Sequence, residues 1–262
     1  MNALHGATIR LTDFPLLVFV TSLVLLMFSL WAGARLLRRW FVPSDNMRED
    51  FGIVLGASLT LLGLLVGFSF SMAVSRYDQR KSLEEAEANA IGTEYLRADL
   101  LPDADAAKVR ALLHAYFEQR ILFYTVRDPD RLREIDARTT ALQAEMWAAV
   151  AAPAKAAPTP TAALVAIGMN DVLNSQGYTQ AAWWNRIPPA AWLLMTVIAV
   201  CCHVLVGYGA RNAKEEITLL IVLPLILSIS FFLIADIDSP RRGVIRVQPQ
   251  NLMSIVDAIP TR

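Results

Sequence analysis

The chain is poor in the residues that form disulfides, metal sites and many catalytic sites. Only two of its 262 residues are cysteine and three are histidine, and Cys201 and Cys202 are adjacent. Adjacent cysteines cannot easily pair, so a disulfide framework is excluded, and no zinc-type spacing is present. The HExxH and GxSxG motifs and the phosphate-binding glycine loop are absent too. We therefore expect no enzyme activity, no catalytic residue, no cofactor and no metal site.

Charge is also scarce. Lys and Arg number 24, Asp and Glu number 24, and together they make up 18% of the chain, against about 25% in soluble domains. A net charge of zero creates no global field that would attract nucleic acid. Hydrophobic residues, in contrast, reach 55%, and the mean hydropathy is +0.41. This balance points to a lipid bilayer as the main partner and away from nucleic acid.

The apolar residues are concentrated in a few long runs. A helix rises 1.5 Å per residue, so ~20 apolar residues cross a hydrocarbon core ~30 Å thick, whereas a barrel strand needs only ~10 alternating residues. A cleaved signal peptide ending near 32–34 is the alternative for the first run, but this run is long and only Arg10 precedes it. We predict an all-α, multi-pass inner-membrane protein. Its four spans are the runs without Asp, Glu, Lys or Arg, at 14–34, 51–75, 187–210 and 217–235.

The remaining residues form one large polar insert and a tail. Glu, Ala, Leu and Arg follow span two without proline, so we expect span two to continue into the insert as one helix of about 50 residues. Further helices are predicted at 104–126, with Asp103 as N-cap, at 131–150 and at 162–175, with a proline-rich linker at 151–161. The predicted domains are a transmembrane hairpin (1–75), a helical extramembrane domain (76–186), a second hairpin (187–236) and an irregular C-terminal tail (237–262).

Basic residues near the span ends predict the orientation. Slightly more of them lie on the side of the insert and the termini than on the opposite side. Because basic residues stay inside, this excess places the insert and both termini in the cytoplasm. Arg35, Arg38 and Arg39, which follow the first span, favour the reverse orientation.

Span two carries a stripe of small residues on one helix face. Two GxxxG motifs lie within it, and such a face allows another backbone to approach closely. Packing against another span of the same chain would explain the stripe, and so would a pore-lining or symmetric contact in an oligomer. We define the stripe by its helix-packing or pore-lining residues, Gly52, Gly56, Thr60, Gly63, Gly67 and Ser71, continued by Ser75.

Two further polar features lie in or beside the spans. His203 is the only ionisable side chain well inside a span apart from the cysteines, and it indicates either a hydrogen bond to a neighbouring helix or a proton or ion path. Charged residues also cluster at the membrane junction. This cluster is explained by a solvated helix end with local pairing, by salt bridges between subunits, or by a site for a cation or lipid head group. Both junctions lie on one side of the membrane, so contact between their acids and bases is expected. The cluster comprises Arg76, Arg80, Asp236, Asp238 and Arg241.

Three segments resemble a bacterial family of bestrophin-like membrane proteins: 63–80 (GLLVGFSFSMAVSRYDQR), 87–102 (EANAIGTEYLRADLLP) and 236–252 (DIDSPRRGVIRVQPQNL). The likeness covers nearly the whole chain, including the two-plus-two layout of spans. Bestrophins are pentameric anion channels with a pore-lining second span and cytoplasmic termini. The resemblance therefore implies a homo-oligomer that passes small anions, with the stripe near the axis.

The sequence departs from true bestrophins at two places. Their acidic calcium-binding run is reduced here to Asp236 and Asp238, and only Phe68 and Phe70 are candidates for their aromatic neck. Calcium, moreover, takes 6–8 oxygen ligands. The alternative function is a structural or signalling membrane protein whose helical insert binds a partner.

Overall fold

A computed structural model describes residues 11–37, 39, 47–210 and 217–258. Within these ranges the regular elements are helical and no residue lies in a strand, so the predicted all-α class is confirmed. A π-helical turn, Gly33–Leu37, continues the first helix. The helices are α1 (Pro15–Ala32), α2 (Met47–Arg97), α3 (Asp103–Thr125), α4 (Pro129–Ala156), α5 (Pro160–Trp184), α6 (Pro189–Gly209), α7 (Ile217–Asp238) and α8 (Gln250–Ala258).

Four helical stretches of the described ranges are long and apolar enough to cross a membrane, as the uncharged runs predicted. The stretch that holds span two is the least enclosed, since 6% of its apolar window is buried against 28%, 28% and 44% in the others. Much of the surface of span two is therefore left uncovered by its own chain. The stretches are Pro15–Leu37, Phe51–Leu100, Pro160–Gly209 and Leu220–Asp238.

The chain divides into two compact units. The first unit comprises Met1–Arg76 and Arg186–Arg246, and the second comprises Tyr77–Asn185 and Val247–Arg262. Helix α2 contributes to both units and has 51 residues, or ~75 Å at 1.5 Å per residue. The predicted continuation of span two into the insert is thus present.

The first unit is built around α1, which packs against both α6 and α7. Its apolar core includes Leu26 of α1, Leu62 of α2, Met195 of α6 and Phe231 of α7, each at most 3% exposed. Burying one such side chain contributes roughly 1.5–3 kcal/mol. Each of these four helices therefore contributes one face to a shared apolar core.

Two glycines allow α1 and α6 to approach closely. A Cβ atom at Gly33 would overlap the carbonyl oxygen of Val204, and one at Gly207 would overlap the carbonyl oxygen of Leu30. Each glycine therefore faces the backbone of the opposite helix. Small residues at such crossings let helix backbones pack directly in a membrane.

The second unit contains the insert helices and α8 around a separate core. Tyr116, Phe117, Phe123, Leu142 and Met146 are fully buried in it. Aromatic and long aliphatic side chains at helical spacing on α3 and α4 produce this core. Helix α8 contributes Leu252, with no exposed surface, so the expectation of an irregular tail is wrong for Gln250–Ala258.

Three predicted helix ends of the insert are corrected. Helix α4 continues through Pro153 to Ala156, because the alanines around this proline favour helix, although Pro153 has no N–H to donate to the preceding turn; the linker expected at 151–161 is thus much shorter. Helix α5 continues to Trp184, beyond the predicted end at 175. The N-cap of α3 is Pro102 without a side-chain cap; Asp103, predicted to be the cap, is the first helical residue.

Candidate functional site

The stripe on α2 is open in the single chain. Every stripe residue from Gly52 to Ser75 is exposed. A Cβ atom added at Gly52, Gly56, Gly63 or Gly67 would meet no described atom within 4 Å. Among the described residues, no packing partner within the chain is found for these glycines.

Another face of α2 is covered. Leu62, Ser69 and Ala73 are buried, with exposures of 1%, 7% and 0%. At 100° per residue this covered face lies about two fifths of a turn around the helix from the stripe. Large apolar residues occupy other exposed positions, including Phe68 at 62% exposure, whereas Phe70, at 41% exposure, lies at the edge of the stripe. Helix α2 thus has one face in the core and a distinct, open face of small residues.

At the end of α7, Asp238 pairs with basic groups of the membrane junction. Its carboxylate, 1% exposed, accepts hydrogen bonds from the Arg186 Nε at 3.1 Å and the Ile187 amide at 3.2 Å, and the Arg76 Nη1 lies 3.6 Å away. Arg186 also pairs with Asp13 at 2.9 Å. Charge-assisted hydrogen bonds of this kind fix the start of α6 against the end of α7.

Asp236 organises the turn that follows α7. Its two carboxylate oxygens accept the backbone amides of Val244 at 2.7 Å and Ile245 at 2.8 Å. A Cβ atom at Gly243 would overlap the Asp236 carbonyl oxygen, so only glycine fits this close approach. Asp236 is 2% exposed and acts as an acceptor for the folded-back chain.

These contacts bear on whether the junction fits a calcium ion. Both acids already accept backbone or guanidinium hydrogen bonds, and calcium needs 6–8 oxygen ligands. In the described part of the chain, no three His, Cys, Asp or Glu side chains are grouped to hold a metal. The residues of this junction do not fit the calcium site expected of true bestrophins.

The other predicted residues have the following surroundings. Arg80 is buried in the second unit, with 2% exposure. Arg241 is half-buried in the turn after α7. His203 is fully buried in α6, where its Nδ1 lies 2.7 Å from the Ala199 carbonyl oxygen of the preceding turn. Its Nε2 has no hydrogen-bond partner among the described residues.

Sequence reasoning missed a buried ion pair in the second unit. Arg120 of α3 donates to both carboxylate oxygens of Glu87 on α2, at 2.5 and 3.3 Å, and neither side chain is exposed. Tyr124 and Thr179 donate to the same carboxylate at 3.3 and 3.1 Å. Burial raises the pKa of the Tyr124 phenol, and the charge of Glu87 raises it further. The available signal was Arg120 within the apolar face of α3.

A second missed contact fixes α8. The Glu84 carboxylate accepts the backbone amides of Asn251 and Leu252 at 3.1 and 3.0 Å and the Asn251 side-chain amide at 2.6 Å. These amides are the unpaired donors of a helix N-terminus, which favours negative charge. Gly92 of α2 lets Ile255 pack close by, with 3.2 Å between a Cβ built at Gly92 and the Ile255 Cδ1.

The fold and this distribution of charge define a multi-pass helical membrane protein whose second span carries an open face of small residues. The family model described as Bestrophin-like domain matches residues 16–252, most of the chain. The chain therefore belongs to the Bestrophin-like family, and the resemblance seen in its sequence is confirmed. Comparison with curated proteins gives no match.

Solved structures of a bacterial bestrophin homologue from Klebsiella pneumoniae share the fold. One, phased with zinc, has a TM-score of 0.59 and 15% identity, and the match covers 94% of this chain and 99% of that one. A tryptophan-to-alanine variant gives 0.63 and 13%, covering 91% and 97%. A leucine-to-threonine variant gives 0.61 and 14%, covering 92% and 98%. At these identities the likeness establishes the fold alone.

Proposed function

We propose that this protein is the subunit of a homo-oligomeric, bestrophin-like anion channel, with the stripe of α2 directed at the oligomer axis. The observation that carries the proposal is the open stripe on a helix whose other face is buried. A row of glycines offers lipid tails few side-chain contacts, but it allows the backbone of a neighbouring helix to approach closely. In an oligomer the same row would leave room for a permeating ion.

Family membership supports the choice of a channel over an enzyme, and anions are the ions that the resemblance implies. Span two has no charged side chain between 51 and 75. The path along the stripe would therefore be lined by glycine backbone and the hydroxyls of Thr60 and Ser71. In this proposal the insert and both termini lie in the cytoplasm, in agreement with the excess of basic residues on that side.

Currents across planar bilayers test the proposal. The purified chain is first shown to be oligomeric by native mass spectrometry and then reconstituted in a gradient of sodium chloride. We expect a current whose reversal potential follows the chloride gradient. Gly63→Leu should abolish most of it, because the side chain enters the proposed path. Leu61→Phe, on an exposed face away from the stripe, is the matched control. A verified oligomer that stays silent with several anions would contradict the proposal.

The alternative function, partner binding by the insert, is favoured by apolar side chains exposed on the second unit. Leu96 is 70% and Ile167 59% exposed, and a partner that covered these side chains would remove their apolar surface from water. A monomeric chain that retains one defined partner after cross-linking, and loses it in a Leu96→Ser, Ile167→Ser double variant, would favour this function. A pulldown without a partner would oppose it.

A further inference from the structure

The second unit holds a buried acid that the contacts above do not explain. Glu94 of α2 has no exposed surface. Neither of its carboxyl oxygens has a hydrogen-bond partner among the described residues. Glu84 and Glu87 lie on the same face of α2, and their carboxylates each accept several hydrogen bonds. Glu94 is therefore buried in a manner different from the other two acids of this face.

A glycine on α5 creates the space for this carboxyl group. A Cβ atom at Gly168 would overlap the Glu94 Oε2 and the Arg97 Nη1, and it would lie 3.1 Å from the Arg97 Cδ. Gly168 is itself buried. Near Gly168, the packing of α2 against α5 thus depends on how the Glu94 carboxyl and the Arg97 guanidinium occupy the space next to this glycine.

Within the described part of the chain, two charged side chains face Glu94. Arg97 faces it from α2 and Asp171 faces it from α5. Arg97 and Asp171 also line an open pocket of about 230 Å³, together with Asn89, Ala90 and Thr93. From α3, Arg110 lies over the neighbouring Tyr95 ring, 5.8 Å from its centroid, and is paired with Asp99.

An unpaired carboxylate is costly to bury, whereas a neutral carboxylic acid is much less so. A metal ion would not resolve the cost, because the Arg97 guanidinium lies against the same glycine and would repel it. We propose that Glu94 is a proton-binding site that makes the packing of α2 against α5 depend on pH. With its proton, the acid fits beneath Gly168 as a neutral group. Without it, the carboxylate draws Arg97 or water inward and loosens this contact.

The direction of the effect follows from the pKa of Glu94. Burial raises it from the usual 4.5 to about 8, while Arg97 lowers it and Asp171 raises it. The folded chain therefore holds a proton that the unfolded chain has already released between these two pH values. By linkage, this site lowers stability progressively as the pH rises from 4.5 to about 8, and its effect is constant above that.

Infrared difference spectroscopy of the full chain in lipid nanodiscs tests the proposal directly. The C=O stretching band of a protonated carboxylic acid should be lost with a midpoint near pH 8. Glu94→Gln should remove this titrating band, and it should also remove the fall in melting temperature between about pH 5 and 8. Glu85→Gln, at an exposed position of the same helix, is the matched control and should leave both unchanged.

The two neighbouring charges provide a second signature. Asp171→Asn should move the midpoint to lower pH, and Arg97→Gln should move it to higher pH, because the two side chains act on the carboxylate with opposite sign. This pair also carries the test if Glu94→Gln does not fold. A band that persists in Glu94→Gln, the absence of any such band in the wild type, or shifts of the same sign in the two neighbouring variants would overturn the proposal. None of these readouts depends on ion conduction.

Discussion

At the scale of single residues, the Glu87–Arg120 pair shows what the sequence conceals. Arg120 lies among Leu113, Phe117 and Tyr124 on the apolar face of α3, and this pattern predicts a buried charge. Its partner is 33 residues away, and no local spacing connects the two. A buried cation needs a carboxylate, but only the packed fold selects Glu87 from the acids of α2.

Replacing Arg120 by alanine should destabilise the second unit by roughly 3–5 kcal/mol, because Glu87 would remain buried without its cation. Urea unfolding in detergent, followed by the fluorescence of tryptophan, measures the loss; Trp183 is a suitable reporter, 4.7 Å from the Phe123 ring. Arg138→Ala removes the exposed pair with Glu145 and should cost at most about 1 kcal/mol. Equal losses in the two variants would contradict the assignment.

The junction acids lead to a prediction about calcium. Since Asp236 and Asp238 are occupied by amides and guanidinium groups, addition of calcium or of a chelator should leave the melting temperature unchanged. Asp236→Ala should lower it, because the amides of Val244 and Ile245 lose their acceptor. Scanning calorimetry of the detergent-solubilised chain measures both effects. A chelator-induced destabilisation that Asp236→Ala abolishes would show a metal site instead.

At the scale of helices, glycines in the spans have two different uses. Gly33 and Gly207 face the backbone of the opposite helix, whereas no described atom lies within 4 Å of a Cβ built at the stripe glycines. The sequence shows the stripe because its members repeat along one helix. It does not show the pair of Gly33 and Gly207, because their relation exists only once α1 and α6 have packed.

Gly207→Ala should therefore be destabilising, by about 1–3 kcal/mol, as overpacking against a fixed backbone requires a helix to shift. Gly177→Ala is the matched control: it lies in α5, with nothing within 4 Å of its added Cβ, and should be neutral or stabilising by up to ~1 kcal/mol. Thermal aggregation in detergent compares the two variants. A Gly207→Ala chain as stable as the Gly177→Ala chain would contradict the close packing.

The spans were predictable because a helix that crosses lipid needs a long uncharged run. Each segment meets this requirement by its own sequence, without reference to the rest of the fold. The insert was predictable as helix but not at its ends. Helix α4 passes through Pro153 where composition indicated a linker, and α8 forms where the tail was expected to be irregular. In α8, the helix terminus is stabilised by Glu84, a residue far away in the chain, so local sequence was insufficient.

At the scale of the whole molecule, the open stripe is the feature that a single chain leaves unexplained. The second span has 6% of its apolar window buried, while its small residues make a surface suited to close contact. The sequence predicts such a contact but does not identify its partner, which in our proposal lies on another copy of the chain.

Disulfide cross-linking in membranes tests this claim most directly. In a chain with Cys201 and Cys202 replaced by alanine, Gly63→Cys and Gly67→Cys should give cross-linked dimers on oxidation, because equivalent stripe residues of neighbouring subunits approach at the axis. Leu61→Cys, exposed on another face of α2, should remain uncross-linked. Cross-linking of Leu61→Cys with none at the stripe positions would contradict the account.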